Sequence, residues 1–100
     1  MAKSIIQEDK THCYICERNG NGDPLEEHHI FFGTANRKIS DKFGLTVHIC
    51  GNRCHRLGKD SVHKNAQVCR ILQAKAQQIA MQHYGWSEDD FRALIGKSYL

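Results

Sequence analysis

No stretch of this sequence is long or apolar enough to cross a membrane. Its opening, Met-Ala-Lys-Ser-Ile-Ile-Gln-Glu-Asp, lacks the apolar run of a secretory signal. Repeats, low-complexity tracts and linkers long enough to divide domains are also missing, so residues 1–100 are expected to form one domain. Aromatic residues are few, eight in all, and 40% of the residues are hydrophobic. A chain this short buries a limited core, and domains of its size often need a metal or a disulfide to hold them. A strong charge of either sign is absent: the net charge of +3 permits phosphate contacts without demanding them.

Cysteine and histidine are well represented, with five and seven residues. Four cysteines fall into two short-spaced pairs, Cys13-x-x-Cys16 and Cys50-x-x-x-Cys54, while Cys69 stands alone in a helical pattern and reads as a core thiol. Without an export signal the expected compartment is reducing, where paired cysteines are metal ligands rather than disulfides. A structural zinc takes four tetrahedral N or S ligands at such spacings. Cys13, Cys16, Cys50 and Cys54 are therefore the expected ligands of a structural Zn²⁺.

Residues 1–11 show no period and read as a loose lead-in. Cys13 to Cys16, followed by the Gly-rich turn at 18–24, resembles a zinc knuckle. Leu25 to Phe32 is rich in branched and aromatic residues and predicts a strand carrying Glu27-His28-His29. Gly33 to Phe43, with Asn36, Arg37, Lys38 and Lys42, reads as a basic loop. Leu45 to Ile49 alternates as a half-buried strand and delivers Cys50 at its end. A short helix is expected from Cys54 to Gly58, and a long one over Asn65–Tyr84, with Asn65 as N-cap and Gly85 just past its end. Val68, Leu72, Ala76, Ile79 and Ala80 mark its buried stripe, with Gln and Lys on the other face. Ser87-Glu-Asp-Asp90 predicts a capping box that opens a last helix through Ile95.

His12, His48 and His83 have no compelling partners, although His12 and His48 adjoin the paired cysteines and are alternative ligands by position. The other four histidines form a more telling set. Neighbouring strand residues point to opposite faces, so His28 and His29 can serve one site only if the strand ends or twists there. His55 follows Cys54 and would lie about 100° round a helix from it. His63 would be about 12 Å from His55 on a straight helix, so shared ligation needs the chain to break and fold back near Gly58 to Ser61.

The ordered set of Glu-His-His closing a strand, a loop with Asn, a second strand, Cys-x-x-x-Cys-His and a later His resembles the HNH endonucleases of ββα-metal (His-Me finger) fold. The likeness spans about residues 13–65, leaving 66–100 as a helical extension. The segment from His28 to Leu45, with Ser-Val-His63 and the tail Ile95 to Leu100, is similar to small HNH-like proteins of bacteriophages and prophages. The resemblance implies a zinc-stapled α+β fold and a DNA endonuclease of phage origin acting in the bacterial cytoplasm. It makes His29 the general base and Asn36 the residue that fixes the loop and orients it. His28, His55 and His63 become ligands of one catalytic divalent ion: Mg²⁺, Mn²⁺, Ni²⁺ or Zn²⁺. Two departures stand out: many members carry the Asn nearer the second strand, where this chain has Phe43-Gly44, and close relatives space the second ligand pair by two residues instead of three. Arg37, Lys38, Lys42, Arg53 and Arg56 are the candidate phosphate contacts. Two rivals belong to other classes. One is a non-catalytic zinc module binding nucleic acid or a protein, which would need the cysteines but not His29. The other is a phage structural or adaptor protein using the long helix as a protein or oligomer interface.

Overall fold

The computed structural model describes residues 3–59 and 61–100. Met1, Ala2 and Asp60, which belong to the expected lead-in and the expected break at 59–61, lie outside the described residues. Two strands, β1 (Leu25–His29) and β2 (Thr46–Cys50), pair antiparallel with Leu25 opposite Cys50 and His29 opposite Thr46. Helix α1 (Thr34–Phe43) falls between them in sequence. A π-helical segment (Gly51–Arg56) follows β2, and α2 (Ala66–Tyr84) and α3 (Glu88–Ile95) complete the order. The protein is a small α+β domain.

The main departure from the sequence reading is at 33–43, which is a helix rather than a basic loop. Ile39 and Phe43 are its only large apolar residues, too few to print a helical stripe. Burial of a polar residue takes the place of that stripe. The Ser40 hydroxyl donates to the Phe31 carbonyl (2.7 Å) and accepts from the Phe31 N–H (3.2 Å), so this fully buried side chain pins α1 to the chain leaving β1. Gly44 ends the helix at φ 71°, a left-handed conformation, and a side chain there would run into the Lys3 carbonyl.

Strand β1 stops at His29 instead of Phe32, because Ile30 and Phe31 turn fully into the core. The short helix also differs from expectation: it begins at Gly51, ends at Arg56 and is π-wound. Asp23, from the Gly-rich turn, accepts from the N–H groups of Asn52 and Arg53, both at 2.9 Å, and so caps its free donors. This bond ties the first cysteine pair's turn to the corner that carries the second pair.

Helix α2 agrees closely with its pattern. The Asn65 side chain accepts from the N–H groups of Gln67 and Val68, and Gly85 ends the helix in the left-handed region. Its glutamines do not all face water, however. Gln73 Nε2 donates to the Ile30 carbonyl (3.3 Å), while Gln77 donates to Ser98 Oγ (3.0 Å) and accepts from the Tyr99 N–H (2.7 Å). Buried amides thus hold the C-terminal tail against α2. The capping box of α3 forms as expected between Ser87 and Asp90.

Candidate functional site

The two cysteine pairs converge. The sulfurs of Cys13, Cys16, Cys50 and Cys54 all lie within 4.8 Å of one another, and no disulfide joins them. Zn–S bonds of about 2.3 Å put the edges of a tetrahedral site at about 3.8 Å, so this spacing fits one ion such as zinc. The first pair has knuckle geometry: the N–H groups of Ile15 and Cys16 both point at Cys13 Sγ (3.4 Å), and Glu17 turns the chain at φ 65°. Burial pushes the Cys13 thiol up, but the backbone N–H groups of Cys16, Cys50 and Ile15 outweigh it and bring the pKa down to about 7. Burial, together with the sulfurs of Cys16 and Cys13, pushes Cys50 up to about 12 and raises Cys54 likewise. Four thiolates together therefore need a cation between them. Cys69 lies apart, buried on α2, with its thiol raised by burial.

Histidines gather on the other side of the Gly51–Arg56 segment. Cys54 faces the sulfur cluster, while its neighbour His55 joins His28 and His63, whose ligand nitrogens also lie within 4.8 Å of one another. The fold-back that His63 requires is present: Val62 N–H bonds the Cys54 carbonyl (2.9 Å) and His63 N–H the His55 carbonyl (3.2 Å). Gly58 makes the turn possible, since a side chain there would strike the Arg53 carbonyl. Ring centroids are 5.1 Å apart for His28–His55, 5.5 Å for His28–His63 and 4.7 Å for His55–His63.

Two features make these rings fit a cation. His28 is only 3% exposed, and its buried Nε2 finds no hydrogen-bond partner among the described residues. Leaving such an atom unsatisfied costs about 1–3 kcal/mol. Burial, then the charges of His55, His63 and His29, lowers the His28 pKa to about 3, so its ring is neutral near pH 7 and keeps a lone pair. Burial, His55 and Arg56 lower His63 in the same direction. The second feature is Glu26, two residues before His28 on the same face of β1. Its Oε1 lies 2.9 Å from His55 Nδ1 and 3.1 Å from Arg56 Nε. The His55 hydrogen bond is the chief reason its carboxyl lies below the ordinary range; burial opposes that and Arg56 adds to it. A carboxylate on Nδ1 fixes the tautomer and leaves His55 Nε2 as the ligand atom. Glu26→Gln is expected to weaken divalent-ion binding at these histidines by about 10- to 100-fold without unfolding the protein, as measured by calorimetric titration.

His29 does not share this cluster. It points to the opposite face of β1, where its Nε2 lies 3.0 Å from Asp41 Oδ1 and 3.7 Å from Glu27 Oε1. Among the described residues β1 pairs only with β2, and side chains from both of its faces border one opening. That opening is a cleft of about 260 Å³ bordered by His28, His55 and His63 on one side and Glu27 and His29 on the other, with Arg37, Arg56 and Phe32 at its rim.

The remaining candidates are placed less centrally. Asn36 is not in the cleft lining: its amide donates to the Ile95 carbonyl (3.1 Å) and ties α1 to α3, while Asp41 holds the His29 ring. Of the five basic candidates only Arg37 and Arg56 border the cleft. Lys38 is exposed on α1, Lys42 lies 5.4 Å from the Phe43 ring centroid, and Arg53 sits beside Asp23 in a separate depression. His12 pairs with Asp9 on the surface, and among the described residues neither it nor His48 or His83 enters a ligand cluster.

Glu26 and Asp41 escaped the sequence reading. Glu26 was detectable from its i, i+2 spacing to His28 on a strand. Asp41 was not, because only helix α1 brings it back to a strand residue twelve positions earlier. Compared with protein-family models, curated proteins and solved structures, the chain finds no match. No described helix is long and apolar enough to cross a membrane.

Proposed function

We propose that this protein is a divalent-metal-dependent phosphodiesterase. More specifically, we read it as an HNH-type endonuclease of ββα-metal fold that cuts DNA, with a structural zinc in the four-cysteine site. The observation that carries this reading is the placement of three clustered imidazoles and a separate carboxylate-held histidine on opposite faces of one strand, both open to one cleft with arginines at its rim. A purely structural metal site has no use for the second half of that arrangement.

His28, His55 and His63 are the residues that would hold the working ion. Bound there, a divalent cation supplies positive charge to the scissile phosphate and the departing oxygen; neutral ligands leave that charge undiminished. Asp41 accepts from His29 Nε2–H, which leaves the Nδ1 lone pair to take a proton from the attacking water. The water oxygen bonds to phosphorus as the P–O3′ bond breaks, and the 3′ oxygen leaves with a proton from solvent. The resemblance implies 5′-phosphate and 3′-hydroxyl ends. Arg37 and Arg56, which border the cleft, would meet phosphate oxygens.

The test is nicking of supercoiled plasmid by zinc-loaded protein supplied in turn with Mg²⁺, Mn²⁺, Ni²⁺ and Zn²⁺. Ion-dependent nicking with ligatable 5′-phosphate ends is expected. Absence of cleavage of both plasmid and single strands with every ion would overturn the reading in favour of a non-catalytic zinc module.

A further inference from the structure

Phe32 is a large apolar side chain left 47% exposed at the cleft rim. Its ring meets His28 and His63 only at tilted angles, with centroids 6.2 Å and 6.0 Å away. Beyond it the cleft continues into a second groove of about 450 Å³, which shares Phe32 and His63 with the first and is lined further by Lys64, Arg70, Lys97 and Tyr99. No carboxylate of the described residues lines it. Arg70 Cζ lies 5.6 Å and Lys97 Nζ 4.9 Å from the Tyr99 ring centroid, so this ring braces both cations at the groove wall. Among the described residues no cation lies over Phe32, whose surface is exposed.

We infer that this groove holds a single-stranded stretch of nucleic acid beside the scissile bond, with phosphates along Lys64, Arg70 and Lys97 and one unpaired base stacked on Phe32. The inference rests on the proposed cleavage of phosphodiesters in the adjoining cleft, and it names the substrate class as single-stranded or locally unpaired nucleic acid. Charge complementarity selects a polyanion, because Lys64, Arg70 and Lys97 line the groove and no described carboxylate does. The aromatic selects among polyanions: bases inside a duplex are already stacked, whereas an unpaired base offers a face that stacks on any aromatic ring regardless of sequence.

Fluorescence anisotropy tests this with labelled oligothymidine and a blunt duplex of equal length, using zinc-loaded protein without added divalent ion so that nothing is cut. Oligothymidine is expected to bind about 10-fold tighter than the duplex. Phe32→Ala, an exposed change that spares the core, is expected to remove about 10-fold of single-strand affinity and leave duplex affinity unchanged. Replacing Lys64, Arg70 and Lys97 together by Gln is expected to lower the salt dependence of single-strand binding by about 2 in log–log slope. Equal binding of the two probes, indifference to Phe32→Ala, or a Phe32-dependent self-association in place of oligothymidine binding would each overturn the inference. These binding results stand apart from the plasmid assay. A protein that nicks plasmid but fails here loses the groove and keeps the nuclease reading. One that binds as expected but never cuts keeps the groove and loses the nuclease.

Discussion

On the zinc reading of the cysteine cluster, treating the protein with a strong chelator, or replacing Cys54 by Ser, is expected to unfold it. Domains of this size are stable by about 5–15 kcal/mol in total. A structural zinc held by thiolates contributes about 10–16 kcal/mol of apparent binding energy at neutral pH. The two figures overlap, so losing the ion takes most or all of the margin. The cysteine cluster is built into the core of the fold. Cys13, Cys50 and Cys54 are buried members of the core, and the cluster joins the N-terminal turn, β2 and the Gly51–Arg56 segment. Cys50 and Cys54, raised by burial and by the neighbouring sulfurs, do not carry thiolate charge together without a cation. Far-UV circular dichroism should show loss of helix on chelation and recovery with added Zn²⁺. Cys69→Ala should retain both the metal and the fold, since Cys69 is outside the cluster. Unchanged melting after verified metal removal would contradict this assignment.

On the proposed nuclease reading, His29→Ala is expected to lower DNA cleavage by about 10²- to 10⁴-fold, the usual range for losing a general base, while metal content and melting temperature stay near wild type. The separation of roles comes from strand geometry. His28 and His29 are consecutive and point to opposite faces, so truncating one leaves the other's partners in place. Asp41→Asn should cost less, about 10- to 100-fold, which corresponds to a charge-assisted hydrogen bond of about 1.5–3 kcal/mol. Single-turnover nicking measures both. Equal cleavage by wild type and His29→Ala would remove His29 from the base role.

Much of this architecture was legible because its signals are local. The cysteine pairs, the cap at Asn65, the α2 stripe and the Ser87–Asp90 box each lie within a few residues, and each appears where its pattern places it. For His55 and His63 the sequence showed only what their meeting would require, a break near Gly58, and the chain does fold back there. What escaped depends on contacts between distant segments. Helix α1 is held by Ser40 on Phe31, so its sequence shows a basic polar run instead of a period. Misreading α1 as a loop hid Asp41 and made Asn36 look available to His29, when Asn36 instead faces the end of α3. The buried face of α2 was read too simply as apolar, because Gln73 and Gln77 find partners on the chain after β1 and in the C-terminal tail.

The central claim is that His28, His55 and His63 form a metal centre distinct from both the cysteine site and His29. Titration of zinc-loaded protein with Co²⁺, followed by visible absorbance, tests it most directly. Wild type and His29→Ala should each take up one equivalent beyond the cysteine-bound ion, with a histidine-ligated spectrum, and His28→Ala should take up none. Uptake of that equivalent by His28→Ala, or its absence from wild type, would contradict the account.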